Sequence, residues 1–229
     1  MGIYGFTFQY LCLMNIAENI NTLLQEIPAH VQLVAVSKTK SNEEIMEAYR
    51  AGQRIFGENK IQDMTRKQEE LPKDIQWHMI GHVQSNKVKY MAPYVSLIHG
   101  VDSLKLLKEI NKQAQKNNRI IACLLQIHIA EEDSKFGLSA EECHQAVEIA
   151  QTLPHLKIRG LMGMATFTED QNQIGKEFEG LKGLYDQLIQ QNIPLEILSM
   201  GMSGDYPIAL QKGSNMIRVG SKIFGPRNY

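Results

Sequence analysis

From Met14 onward the chain alternates between two spacings of apolar residues. Ile16, Ile20, Leu23, Leu24 and Ile27 recur at helical spacing, and Val31-Gln-Leu-Val-Ala-Val36 then runs as a nearly continuous apolar stretch of strand length. Ser41-Asn-Glu-Glu44 has the spacing of a capping box and opens a second helix, which presents Ile45, Ala48 and Tyr49 and stops at Gly52. A short strand at 54–56, a charged helix at 59–70, a strand at 75–80 and a short helix at 85–90 follow. The unit recurs with a strand at 94–99, a helix at 103–116, a strand at 120–127, and a second capping box, Ser139-Ala-Glu-Glu142, whose helix reaches the turn at Pro154. After a strand at 158–164, Ile174, Phe178, Leu181, Tyr185 and Leu188 mark a long amphipathic helix. Strands at 195–199 and 216–219 enclose a short helix at 206–212.

Eight strands alternating with helices, with no linker between units, predict a parallel sheet built from βαβ units. Eight such units close most economically into an α/β fold of the (β/α)8 TIM type, a barrel of ~250 residues. An open, doubly wound sheet is the alternative. The chain then forms one barrel domain over 14–229, with the first helix packed outside it or across its bottom. Residues 1–13 are apolar but lack the basic start and small-residue cleavage site of a secretory signal. They read as an N-terminal extension, either disordered or a start-site artefact.

Composition narrows the function classes. Hydrophobic residues make up 43% and charged residues 21%, which excludes disorder and fibre, and a net charge of −1 supplies no global field to recruit nucleic acid or anionic membrane. No apolar run approaches the ~20 residues that span a bilayer. Cys12, Cys123 and Cys143 are odd in number and far apart, so neither a disulfide framework nor a thiolate metal site is expected, and the chain reads as cytoplasmic.

Barrel active sites lie beyond the C-terminal ends of the strands. Lys38 ends the first strand there, and desolvation of a strand-end amine favours attack on a carbonyl, although a snorkelling lysine or a structural ion pair would have the same sequence. At the other end of the chain, Ser199-Met-Gly-Met-Ser203-Gly-Asp205 and Arg218-Val-Gly220-Ser221 follow strands seven and eight, where barrels commonly hold phosphate. Glycines allow close backbone approach, Ser203 can cap the short helix after it, Arg218 adds a cation and Ser221 a hydroxyl. Asn59 either caps its helix or donates to a ligand. His78 and His82 have the spacing of a zinc helix without its glutamate, so metal is not expected: His78 reads as a satisfied core histidine and His82 as a loop residue bonded locally. The mixed-sign run 60–74 reads as a solvated face. A carbonyl-binding lysine facing a phosphate rim describes pyridoxal phosphate or a sugar phosphate.

Five motifs, Val36-Ser-Lys-Thr39, Phe56-Gly-Glu-Asn59, Trp77-His-Met-Ile-Gly-His-Val-Gln84 with Asn86-Lys87, Ser199-Met-Gly-Met-Ser203-Gly-Asp205 and Arg218-Val-Gly-Ser-Lys-Ile-Phe-Gly225, occur in this order. Together they resemble the pyridoxal phosphate homeostasis protein family over essentially residues 14–225. The family's fold is similar to the N-terminal barrel of alanine racemase and of eukaryotic-type ornithine decarboxylase, the fold-type III pyridoxal phosphate enzymes. The resemblance implies pyridoxal 5'-phosphate as a covalent aldimine on Lys38, Asn59 beside the ring, and Ser199 and Ser203 bordering ring and phosphate. It also implies Arg218, Gly220 and Ser221 at the phosphate end, with Arg218 facing the ring side as well. Ser221 stands where the family more usually has threonine, and Lys135-Phe-Gly137 resembles the family's lysine-and-glycine loop.

Racemases of this fold type place a second, β-rich domain after the barrel, which supplies the opposite acid–base residue. This chain is expected to lack that domain and therefore to bind pyridoxal phosphate without established turnover, within intracellular vitamin B6 and amino-acid homeostasis. Pyridoxal phosphate is the expected partner, with dependent apoenzymes as recipients and a monomer as the expected state. The alternatives are an amino-acid racemase using His78 or His82 as base, and a Schiff-base aldolase acting through Lys38 on a sugar phosphate.

Overall fold

The computed structural model describes residues 15–132 and 136–226. Helix α1 (Ile16–Glu26) leads into β1 (Gln32–Val36), α2 (Asn42–Arg50), β2 (Ile55–Glu58), α3 (Ile61–Glu70) and β3 (Gln76–Met79). A 3-10 turn (Ser85–Lys87), α4 (Val88–Met91), β4 (Leu97–Val101), α5 (Leu104–Lys116), β5 (Ile121–Gln126), α6 (Ala140–Ala150) and β6 (Leu156–Met162) follow. The chain then forms α7 (Gln171–Gln190), β7 (Ile197–Ser199), α8 (Tyr206–Gln211), β8 (Met216–Val219) and α9 (Ser221–Phe224). All eight strands are parallel and pair in chain order, and β8 closes on β1 with Gln32 opposite Met216 and Ala35 opposite Val219. This is the expected closed barrel, and not the open sheet.

The strands divide their side chains between two apolar clusters, which is why their sequences are mainly apolar instead of strictly alternating with polar residues. Val34, Leu97, Leu124, Met162, Ile197 and Met216 fill the barrel interior. Their strand neighbours Leu33, Ala35, Ile98, Leu125, Leu161 and Ile217 belong to the larger layer between sheet and helices. The interior is full at β2, where a Cβ on Gly57 would come within 2.9 Å of Val34 Cγ1 and 3.0 Å of Ile80 Cδ1.

Both capping boxes form: Ser41 and Ser139 each accept from the third-residue N–H, and Glu44 and Glu142 accept the return bond. Helix α1 lies outside the wall against α2 and α9, where Asn19 Nδ2 donates to Ile223 O at 2.9 Å and Ile16 N to Glu47 Oε1 at 3.0 Å. Two strands shift from their expected places. Tyr94 and Val95 donate their amides to Met91 O and so continue the end of α4, moving the start of β4 three residues and its end two residues toward the C-terminus. β6 moves two residues the other way and is joined to β5 through an irregularity at Cys123–Leu124. Among the described residues, no helix is long and apolar enough to cross a membrane, and Cys123 and Cys143 are buried and unpaired. Residues 1–13 lie outside the described residues.

Candidate functional site

Ser37 N donates to Gly57 O at 3.0 Å and extends the β1–β2 ladder by one residue. Lys38 follows, half-buried at the barrel mouth and, by strand alternation, on the same side as the interior residue Val34. Lys40 N donates to Ser37 O at 3.0 Å, so residues 37–40 form a turn in which Thr39 has φ 66°. Behind it, Ser37 Oγ donates to Glu58 Oε1 at 2.7 Å, and Lys67 Nζ donates to Glu58 Oε1 at 2.7 Å and Ser37 O at 2.9 Å. Glu58 is fully buried and Lys67 is 2% exposed. The run 60–74 is therefore not simply a solvated face: α3 turns Ile61, Met64 and Lys67 inward, and Lys67 escapes the charge pattern because its partner lies nine residues away on the preceding strand.

Beneath the mouth a polar chain crosses the barrel. His78 Nδ1 lies 3.0 Å from His99 Nε2, and His99 Nδ1 lies 3.4 Å from Ser199 Oγ. Arg218 Nη1 donates to Ser199 Oγ at 2.7 Å and Ser199 O at 3.0 Å, while Nη2 donates to Gly163 O at 3.0 Å. Burial, reinforced by the charge of Arg159, pushes the His78 imidazole down to about 3. Burial, with His78 and Arg218 nearby, also holds His99 well below the usual histidine range. Burial lowers Arg218 to about 10, which leaves it charged at neutral pH. His78 is thus a satisfied core histidine. Sequence reading missed His99, whose only signal was an imidazole in the middle of an apolar strand.

The rim is built by the loops after β7 and β8. Gly201, at φ 96°, turns its carbonyl to accept from Arg218 N at 3.0 Å. Ser203 does not cap α8: its Oγ accepts from Gly220 N at 3.2 Å and ties the two loops together, while Asp205 is the N-cap residue and its Oδ1 accepts from Met202 N at 2.5 Å. A Cβ on Gly220 would lie 3.3 Å from Val36 Cβ and Val36 O, so this loop rests on the end of the strand that carries Lys38. Ser221 opens α9 and is exposed.

Asn59 is exposed at the end of β2 and does not cap α3, whose N-cap residue is Lys60. Gly81 packs against it so closely that a Cβ there would stand 2.6 Å from Asn59 O. His82 bonds Asp102 Oδ2 at 2.8 Å, twenty residues away at the next strand end, and stacks on Phe136 at a centroid distance of 4.1 Å. Its partners are tertiary, not local. Lys135 lies outside the described residues. Among the described residues, no group of three or more His, Cys, Asp or Glu side chains could hold a metal ion.

The structure thus joins Ser199 to Arg218 and Ser203 to Gly220, sets Gly220 against the strand of Lys38, and leaves Asn59 and Ser221 exposed around the same mouth. Residues 11–228 match the family model "Alanine racemase, N-terminal domain". Proteins named pyridoxal phosphate homeostasis protein from Aquifex aeolicus and Vibrio alginolyticus are 35% and 40% identical to the chain. The alignments cover 94% and 88% of this chain and 100% and 89% of those proteins. The chain belongs to the pyridoxal phosphate homeostasis protein family. PipY of Synechococcus elongatus PCC7942 is 36% identical, and its structures with and without PLP superpose at TM-scores of 0.85 and 0.88 over 92% of this chain and all of PipY. Alanine racemase of Clostridium difficile 630 shares the fold at 15% identity and a TM-score of 0.76, over 95% of this chain and 58% of the racemase.

Proposed function

We propose that this chain holds pyridoxal 5'-phosphate at the barrel mouth as a Schiff base on Lys38 and serves the intracellular supply of that cofactor. One observation carries the reading: the turn bearing Lys38 and the glycine–serine rim meet at Val36, with the Arg218 cation one layer below. The donor set fits the group. Gly220 has no side chain to fill the rim, Ser221 offers a hydroxyl at the start of α9, and the backbone there supplies N–H donors suited to a phosphate. Arg218, fixed on Ser199 and Gly163 inside the barrel, places positive charge below the ring side. Ser203 fixes the rim through Gly220, and Asn59 borders the mouth from β2.

The uncharged Lys38 amine would attack the aldehyde carbon and water would leave; hydrolysis reverses the step and releases the cofactor unchanged. Reversible storage of this kind suits handover to dependent apoenzymes. The name of the relatives, the PLP-bound structure of PipY and the engagement of His78 inside the barrel favour binding over racemisation. A base must reach the substrate proton, and His78 is 5% exposed and held by His99.

The test is the visible spectrum of purified protein mixed with pyridoxal phosphate, before and after borohydride, with mass mapping of the product. The expected result is a yellow band that reduction removes and a pyridoxyl adduct on Lys38, both lost in Lys38→Ala. Absence of the band, with borohydride trapping of a sugar phosphate instead, would replace this reading with the aldolase one. Turnover of D- or L-amino acids that requires Lys38 would replace it with the racemase one.

A further inference from the structure

The turn that carries Lys38 is held in an unfavourable conformation. Thr39, at φ 66°, occupies the left-handed region, where a β-branched residue is a true outlier. It is the third residue of a turn closed by Lys40 N on Ser37 O, a position where positive φ normally selects glycine or asparagine. Such strain persists only where the surroundings over-determine it.

The surroundings here are the buried Glu58–Lys67 pair. Ser37 O, which closes the turn, accepts a second bond from Lys67 Nζ at 2.9 Å, and Ser37 Oγ is held by Glu58 at 2.7 Å. Ser37 and Glu58 are fully buried, and Glu58 Oε2 has no hydrogen-bond partner. Removing two charges from water and leaving one carboxylate oxygen unserved is a poor way to gain stability, since apolar side chains of similar volume would fill the space at lower cost. What the pair adds over apolar residues is direction. Its bonds converge on the carbonyl and the hydroxyl of the residue that immediately precedes Lys38.

We propose that Lys67 and Glu58 are positioning residues for Lys38: they clamp the Ser37 carbonyl, hold Thr39 in its strained conformation, and so aim the lysine at the cofactor aldehyde. The inference rests on the function proposed above.

The experiment titrates wild type, Lys67→Met, Glu58→Gln, Thr39→Gly and Lys67→Met/Thr39→Gly with pyridoxal phosphate. It follows the imine band and the rate of cyanoborohydride trapping at Lys38, on protein shown by circular dichroism to be folded. Lys67→Met is expected to weaken imine formation and slow trapping about tenfold. Adding Thr39→Gly should restore most of that loss, because glycine adopts φ 66° without strain. If Lys67→Met does not fold, Glu58→Gln and Glu58→Gln/Thr39→Gly carry the test, with a severalfold loss in the first that the second restores. Folded clamp variants with wild-type affinity and trapping rate overturn the proposal, as does a loss that Thr39→Gly leaves untouched, which a purely structural role would produce. A wild-type chain without any imine band would instead overturn the cofactor reading on which the proposal rests.

Discussion

His99 Nε2 lies 3.0 Å from His78 Nδ1 inside the barrel. Arg218 can only donate, so Ser199 Oγ accepts from it, and the same hydroxyl stands 3.4 Å from His99 Nδ1. One ring nitrogen of the 3.0 Å pair donates and the other accepts, so the two imidazoles hold complementary tautomers. Burial keeps both imidazoles neutral at neutral pH.

Neutral buried histidines make stability depend on pH. The unfolded chain takes up protons on these residues below about pH 6.5, whereas the folded chain does not until His78 reaches about 3 and His99 lies well below its usual range. Their contribution is therefore complete above pH 7 and is lost as pH falls through 6.5 toward 3, by ~1.4 kcal/mol per pH unit for each histidine. Urea unfolding at pH 7.5 and 5.5 should differ by about 2–3 kcal/mol. His78→Gln/His99→Gln should remove most of the difference; an unchanged slope would assign it to other groups.

Arg218→Lys keeps the charge but loses the fork that serves Ser199 and Gly163 together. With a buried carbonyl left unserved, the folded state should lose about 2–3 kcal/mol in urea melts, and pyridoxal phosphate affinity should fall about tenfold. A variant with wild-type stability would show that relaxation or water replaces the fork.

Breaking the Glu58–Lys67 pair from one side strands the other charge. Glu58→Leu and Lys67→Met should each cost about 3–5 kcal/mol, and the double variant should cost much less than their sum. Additive losses in a double-mutant cycle would deny the coupling implied by the 2.7 Å contact.

Two glycines should respond in opposite directions. A Cβ at Gly81 would press on the backbone of Asn59, 2.6 Å from its oxygen and 2.8 Å from its Cα, so Gly81→Ala should destabilise by about 1–3 kcal/mol. Nothing lies within 4 Å of a Cβ at Gly183 on the exposed face of α7, so Gly183→Ala should stabilise by about 0.5–1 kcal/mol. Thermal melts of the two variants read both signs.

Local chemistry made the barrel legible before any coordinates. A capping box satisfies its donors within four residues, and a strand buried on both faces is mainly apolar, so Ser41–Glu44, Ser139–Glu142 and strands such as Ile121–Gln126 could be read directly from the sequence. Lys38 at the end of the first strand and the rim at Ser203 and Gly220 were readable for the same reason: a (β/α)8 chain brings its strand ends to one mouth. Tertiary structure alone decided the polar partners at the mouth and in the barrel interior. Ser203 bonds Gly220 instead of capping α8, Asn59 leaves the cap of α3 to Lys60, His82 finds Asp102, and His99 joins His78 to Ser199. Lys67 looks in sequence like any solvated helix lysine, and only the packing of α3 against β2 puts its amine on Glu58 and Ser37. Apolar burial is nearly indifferent to which apolar neighbour is met and so is written in periodicity, whereas a hydrogen bond or ion pair depends on distance and direction that exist only once the chain has closed.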